Sequence, residues 1–378
     1  MAKSKKEEGN NEQPSSNDAL GALLTLNKGD HYNNVVAQNL PISTGSLILD
    51  SLITIRSGSI IRLCGAGAEL GKTSEAFVLA DNFHKAFPKG KTIYIKAEAR
   101  LSPDIQKRSG HKFVTDPKQW EYGTVFVWAV NYFETIASAL EDLLKTMHEL
   151  GEQLCIIWDS LDGTILKSDA QKNVWGTESV KVAGVPLLSK LLFKRFALPL
   201  THYDALMIVT SQYSANIKID PYAKDVPRQV EGSGGSAIGH QSDYVLYYCP
   251  RYQGDYILEK PDEKPDPVKN KTLGVYSTIE IRKSGTDVTG TKVKIPISRN
   301  RVGSAIWVEK EVVDMAMQFG QLTRKGAWYS FSDSLVEEAK KDGVEIKVLH
   351  QGLNGVFEYV GENKEVFSWL LNKFKSLI

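Results

Sequence analysis

Between residues 41 and 300 the chain alternates two kinds of apolar pattern. Short continuous runs of apolar or β-branched residues recur at Ile60–Cys64 (IIRLC), Thr92–Ile95 (TIYI), Val125–Trp128 (VFVW), Leu154–Trp158 (LCIIW) and Leu206–Thr210 (LMIVT). Strands covered on both faces read this way, because neither side of the pleat needs polar residues. Between them stand segments with helical spacing: Ser74–Ala86, Tyr132–Leu150 and Val185–Phe196. Strands and helices in this alternation predict an α/β fold with a largely parallel central sheet. Tyr244–Tyr248 (YVLYY) and Val275–Arg282 predict added strands, and the Pro-rich charged stretch 259–270 predicts an exposed loop.

Different patterns flank this core. Residues 1–16 carry almost no apolar side chains and predict a disordered tail. A short amphipathic helix is expected over Asn17–Leu26, capped by Asn17 or Asp18, with Leu20, Leu23 and Leu24 on one side. A helix this short is marginal alone and needs a surface, either on its own domain or on a neighbouring subunit. Residues 17–40 are therefore expected to form an N-terminal helical arm for oligomerisation, and 41–301 the core. After Arg301 the helical patterns Glu309–Gly320, Leu335–Lys341 and Glu365–Phe374 predict a small α-rich C-terminal lobe over 302–378.

Composition narrows little. The 378 residues are 42% hydrophobic, enough for an ordinary core, and the formal net charge is +1, so a nucleic-acid surface would have to be a local patch. The three cysteines, Cys64, Cys155 and Cys249, form no CxxC pair and are expected to be reduced structural thiols rather than zinc ligands. The first residues lack the apolar core of a signal peptide, and no run approaches the ~18 apolar residues of a membrane span. The expectation is a soluble cytoplasmic protein with no membrane partner.

The strongest chemical signal is Gly65-Ala66-Gly67-Ala68-Glu69-Leu70-Gly71-Lys72-Thr73-Ser74, which follows a strand and opens a helix. That is the context of a P-loop: small residues let backbone N–H groups turn toward phosphate oxygens, and the helix adds its positive end. Lys72 is expected to reach the β- and γ-phosphates of ATP, and the Thr73 hydroxyl to ligate Mg2+. The first glycine of GxxxxGK[ST] falls on Ala66, with glycines on either side. Asp159, after the apolar run LCIIW, fits a Walker B carboxylate for the same Mg2+. Glu98 ends the strand TIYIKAE and is placed to polarise an attacking water; a solvated loop carboxylate is the plainer alternative. Gln212 ends LMIVTSQ in the same way and could contact a γ-phosphate.

Around these residues the chain resembles the RecA family of recombinases, including its phage UvsX-type members. The resemblance runs from about residue 18 to 335 and rests on four stretches beside the P-loop. They are Pro41-Ile42-Ser43-Thr44-Gly45-Ser46-Leu47-Ile48-Leu49-Asp50, Ala97-Glu98-Ala99, Gly234-Gly235-Ser236-Ala237 and Lys325-Gly326-Ala327-Trp328-Tyr329-Ser330. It implies a RecA-like P-loop NTPase core that uses ATP and Mg2+, forms a helical homo-oligomeric filament on single-stranded DNA and pairs it with homologous duplex DNA in recombination and repair. Single-strand-binding and mediator proteins are the accessory partners it implies, and a phage-encoded member would work in the cytoplasm of its bacterial host.

The resemblance also assigns roles. Lys72 and Thr73 match the P-loop pair, Glu98 the catalytic glutamate, Asp159 the Walker B aspartate and Gln212 the glutamine that couples ATP to DNA. Lys283 matches a lysine that reaches the ATP of the adjacent subunit. Two segments, about 163–181 and 213–235, match the loops that hold DNA. They contain Lys167, Lys172, Trp175 and Lys181, then Lys218, Lys224, Arg228, Gly234 and Gly235. Such residues suit a polynucleotide, since cations neutralise phosphates and flat rings meet bases. Without the resemblance, both would read as ordinary surface loops. The chain departs from the family at Ala66, at Lys96 where an aspartate is common, at Ile105 where a tyrosine often meets adenine, and at Gly285 where a second lysine is frequent. Ala66, Ile105 and Gly285 keep open a weakly hydrolysing RecA-like regulatory paralogue or mediator. A hexameric helicase motor shares the core but not the STGS and GAWYS segments.

Overall fold

Each apolar run has two faces to bury, and the computed structural model places all five side by side in one sheet. It describes residues 16–28, 31–33, 35–65, 69–98, 101–171, 184–212, 239–260, 263–266, 268–299 and 301–377. Residues 1–36 and 37–378 are two separate units. The first contains the helix Ser16–Leu26, none of whose residues is buried.

In the second unit, β1 (Pro41–Ile42) and β2 (Ile55–Arg56) form a small antiparallel pair. The main sheet comprises β3 (Ile60–Gly65), β4 (Gly90–Lys96), β5 (Phe113–Val114), β6 (Val125–Trp128), β7 (Gln153–Asp159), β8 (Leu206–Gln212), β9 (Tyr244–Tyr248), β10 (Tyr256–Leu258), β11 (Thr272–Lys283) and β12 (Lys292–Ser298). Its order is β10-β11-β9-β3-β8-β7-β4-β6-β5, with β12 also paired to β11. From β9 to β5 every pairing is parallel, while β10, β11 and β12 join antiparallel.

Successive residues of these strands feed two cores. Ile61, Leu63, Cys155, Ile157, Leu206 and Ile208 pack with Phe77, Ala80 and Phe83 of the helix Lys72–Ala86. Ile60, Ile93, Leu154, Ile156, Trp158, Met207 and Val209 face the helices Phe133–Glu149 and Gly184–His202. Each buried Ile, Leu, Val, Met or Phe among them contributes about 1.5–3 kcal/mol by leaving water, which is why no polar alternation interrupts the runs. The last of these helices goes past the expected end at Phe196, through Pro199, to His202. Phe193, Phe196 and Leu200 keep their helical spacing and are buried, and that packing outweighs the hydrogen bond the proline cannot donate.

A third core gathers Val312, Ala316, Phe331, Leu335, Val356, Leu370 and Phe374 from the helices Val308–Gln318, Asp333–Lys341, Gly352–Glu362 and Lys364–Leu377 and from a three-stranded antiparallel sheet. That sheet is β13 (Leu322–Lys325), β14 (Trp328–Phe331) and β15 (Leu349–Gln351), and the purely helical patterns of the sequence did not reveal it. Its strands span at most four residues, too few for alternation to register. The GAWYS segment is the β13–β14 hairpin, where Lys325 pairs with Trp328 across a turn whose Gly326 has a φ of 64°.

The STGS segment is a joint between this third core and the sheet. Asp50 accepts from the Thr44 backbone and hydroxyl, both at 2.7 Å. Ser46 caps the helix Leu47–Leu52 and donates to Glu311 Oε1 at 2.5 Å, while Glu311 Oε2 accepts the Leu47 N–H at 2.9 Å. Gly45, with a φ of 83°, passes so close to Val78 that a Cβ would stand 2.6 Å from its Cγ1. All three cysteines are free thiols, and burial pushes the Cys155 thiol up to about 12.

Glu75 lies in the first turn of the helix Lys72–Ala86 and is 1% exposed. Neither carboxyl oxygen has a hydrogen-bond partner among the described residues, and the same holds for the buried Tyr248 hydroxyl. Burial raises the Glu75 pKa well above its ordinary 4.5, and the charges of Asp50 and Glu311 add to the effect. The folded chain therefore keeps a proton that the unfolded chain loses above about pH 4.5. Stability contributed this way falls as pH rises, by up to about 1.4 kcal/mol per pH unit, until the folded-state pKa is passed. Urea unfolding of wild type and Glu75→Gln between about pH 5 and 8 is expected to show a flatter pH dependence in the variant. Parallel curves would mean that Glu75 titrates alike in both states.

Candidate functional site

The parallel strands end together, and their register brings the predicted residues to one edge. Lys96 at the end of β4 lies opposite Asp159 at the end of β7, and Gly65 at the end of β3 lies opposite Gln212 at the end of β8. Ligands of open α/β sheets bind beyond such carboxyl ends. A cleft of about 900 Å³ opens there. It is lined by Glu69–Ser74, Glu98, Asp159 and Gln212 and also by Ser102, Ile105, Arg108, Arg299 and Arg301, with Arg299 paired to Glu69 at 3.7 Å.

Two glycines shape the loop before Lys72. Gly65 lies so near the next strand that a Cβ would meet Tyr248 O at 2.7 Å. Gly71, the N-terminal cap of the helix Lys72–Ala86, has a φ of 102°, and a Cβ there would stand 2.3 Å from Ile297 Cδ1. Only glycine meets both conditions without strain. The loop is also held by its carbonyls: Ser277 Oγ donates to Leu70 O, and Arg251 donates to Glu69 O. Ala66, Gly67 and Ala68 lie outside the described residues. Burial lowers the Lys72 pKa, and the charge of Asp159, with smaller contributions from Cys64, Asp162 and Glu98, works against that shift.

Asp159 is the centre of the arrangement. Its Oδ2 accepts from Thr73 Oγ1 and from Tyr94 OH, each at 2.8 Å, and its Oδ1 accepts from Thr210 Oγ1 at 2.6 Å. Burial and the carboxylate beside it raise the Tyr94 pKa, so the phenol stays a donor. The Thr73 hydroxyl and the Asp159 carboxylate are hard oxygen donors side by side at the cleft, a pair that suits Mg2+. The two glycine approaches leave the bare backbone that a phosphate cradle requires.

Glu98 accepts from Ser160 Oγ and, at 3.4 Å, from Gln212 Nε2. Gln212 donates its backbone N–H to Asp162 Oδ2 at 2.6 Å. The Asp159–Ser160 peptide is cis. Lys283 does not line this cleft; its Nζ donates to the carbonyls of His240 at 2.8 Å and Gly239 at 3.4 Å. Lys167 sits on an exposed turn of helix, and its backbone N–H donates to Glu134 Oε2 at 3.0 Å. Lys172, Trp175, Lys181, Lys218, Lys224, Arg228, Gly234 and Gly235 lie outside the described residues.

The motifs missed Tyr94, Thr210 and Asp162, and also Arg108, Arg299 and Arg301, which line the cleft. Strand parity could have found two of them. Tyr94 is two residues before Lys96, and Thr210 two before Gln212, so each shares a face with a strand-end position. The arginines carry no such signal, because the short helix Pro103–Ser109 and the turn after β12 bring them in.

No family model matches the chain. It is similar to the protein RecA of Listeria welshimeri, 29% identical over 196 residues, covering 39% of this chain and 56% of that protein. The protein RecA of Listeria monocytogenes serotype 4a (strain HCC23) is 28% identical over the same length and coverage. That of Listeria monocytogenes serotype 1/2a (strain 10403S) is 32% identical over 165 residues, 33% of this chain and 47% of that protein. The chain spans about half the length of the curated relatives it matches. Together with the α/β architecture and its mostly parallel sheet, this similarity supports a relationship to the RecA proteins and a RecA-like core.

Proposed function

We propose that the chain is an ATP-dependent recombinase that assembles on single-stranded DNA, pairs it with homologous duplex and hydrolyses ATP in response to DNA. One observation carries this reading: Lys72, Thr73, Asp159, Glu98 and Gln212 line a single cleft at the carboxyl edge of a parallel sheet. Gly65, Gly71 and the backbone through Ser74 would cradle the phosphates, with Ala66, Gly67, Ala68, Glu69 and Leu70 completing the loop. Thr73 and Asp159 would hold Mg2+, which when bound neutralises phosphate charge. Glu98, which lines the same cleft, would be the carboxylate that orients and deprotonates water. Gln212, bonded to Glu98 at 3.4 Å, would sense the γ-phosphate at the start of the second DNA segment.

Lys283 is proposed to reach a nucleotide on an adjacent subunit, which would make turnover depend on assembly. The DNA surface is proposed to comprise the segments after β7 and β8, with Lys167, Lys172, Trp175, Lys181, Lys218, Lys224, Arg228, Gly234 and Gly235. The departures at Lys96, Ile105 and Gly285 suit a phage UvsX-type branch. A weakly hydrolysing paralogue would not need Glu98 within hydrogen-bonding reach of both Ser160 and Gln212.

Lys72→Ala is expected to abolish nucleotide binding and turnover together. Glu98→Gln is expected to bind nucleotide normally while phosphate release with single-stranded DNA falls by about 10²–10⁴-fold. Full turnover in Glu98→Gln would remove Glu98 from the chemistry, and turnover indifferent to DNA in wild type would sink the recombinase reading.

Lys218→Ala and Arg228→Ala are each expected to lower the slope of log affinity against log salt by about 1 for single-stranded DNA, with ATP binding intact. Unchanged slopes in both would take these residues off the DNA surface.

A further inference from the structure

We propose that Asp162 is a positioning residue that links the segment leaving β7 to the segment leaving β8, and both to the cleft. The turn Leu161–Gly163 follows β7 directly, and Gln212 is the last residue of β8. Asp162 Oδ2 accepts the Gln212 backbone N–H at 2.6 Å. A carboxylate accepting an N–H makes a short, strong bond, about twice the strength of a neutral pair.

The same turn also braces Glu98. Ser160 Oγ donates to Glu98 Oε1, and Gly163 lies so close that a Cβ there would stand 2.7 Å from Glu98 Cγ. Glu98 Oε1 in turn meets Gln212 Nε2 at 3.4 Å, which closes a loop of contacts from the turn through Glu98 and Gln212 back to Asp162. A shift of the turn therefore moves the water-facing carboxylate and the sensing amide together, because no member of the loop can move alone without breaking a bond. Asp162 itself does not line the cleft, so it acts through Gln212.

The proposal rests on the recombinase reading, in which the segments beyond this turn and beyond Gln212 meet DNA. It adds the part that carries DNA occupancy into the cleft.

The test compares full-length wild type, Asp162→Ala and Asp162→Asn by steady-state phosphate release with and without poly(dT). Hydrogen exchange at the Gln212 amide is measured alongside. The ratio of turnover with DNA to turnover without is expected to fall about tenfold in Asp162→Ala, the size of one charge-assisted hydrogen bond. In Asp162→Asn, whose amide oxygen can still accept from Gln212 as a neutral pair, the ratio is expected to fall no more than about threefold from wild type. The Gln212 amide is expected to exchange faster in Asp162→Ala alone. An unchanged ratio or unchanged exchange in Asp162→Ala overturns the coupling, as does equal loss in both variants. Wild-type turnover that DNA does not raise overturns the recombinase reading instead, and the coupling falls with it.

Discussion

The Asp159 carboxylate holds the carboxyl edge of the sheet together. Three hydroxyls converge on it from three elements: Thr73 from the helix after the phosphate loop, Tyr94 from β4 and Thr210 from β8. An anion at the rim of a buried sheet is costly unless donors surround it, and here the donors are fixed by strand register. Ile157 pairs with Ile208 and Trp158 with Val209, which brings Thr210 level with Asp159. The same register puts Asp159 beside the end of β4, from which the backbone N–H of Ala97 donates to Asp159 O at 3.1 Å. A slip of one residue in β7 would turn Asp159 to the other face and strand three hydroxyls. The deep apolar packing of Ile157 and Trp158 thus acts as a positioning device for one polar group.

A second constraint runs from the arginines that line the cleft into the C-terminal lobe. Arg301 lines the cleft and binds Glu309 through both guanidinium nitrogens, Nη2 to Oε1 at 2.5 Å. Glu309 and Glu311 lie on the same helix, and Glu311 holds Ser46 and the N–H groups of Leu47 and Ile48. Burial pushes Glu311 up to about 7 against the pull of those donors. The segment most specific to the family resemblance therefore does not line the cleft. It joins the lobe helix to the sheet, and that helix also steadies the basic wall of the cleft.

The sequence pointed to those lining residues of the candidate site that stand at or after a strand end. Lys72, Thr73, Glu98, Asp159 and Gln212 each follow an apolar run, and the open α/β rule carries all of them to one edge. Tyr94 and Thr210 were hidden because a hydroxyl inside a strand looks like ordinary β propensity until register supplies its partner. Asp162 was hidden for a different reason: its role lies in a contact across fifty positions, from a turn to a backbone N–H. The lobe sheet escaped because its strands are too short for alternation, and the helix Gly352–Glu362 because three glycines dilute its pattern. The helix through Pro199 shows the reverse, a local breaker overruled by three buried side chains.

Charge balance at the cleft bears on what can enter it. Lys72 stands among the charges of Asp159, Asp162 and Glu98 and is itself partly desolvated. The lining of the cleft carries both signs, with Glu69, Glu98, Asp104 and Asp159 set against Lys72, Lys107, Arg108, Arg299 and Arg301. A dication bound beside Thr73 and Asp159 would be the largest charge in its neighbourhood and would offset the carboxylates there. On the reading proposed here, the carboxylates then have two uses at once. They oppose the lowering that burial imposes on the Lys72 pKa, and Asp159 offers a dication an oxygen ligand.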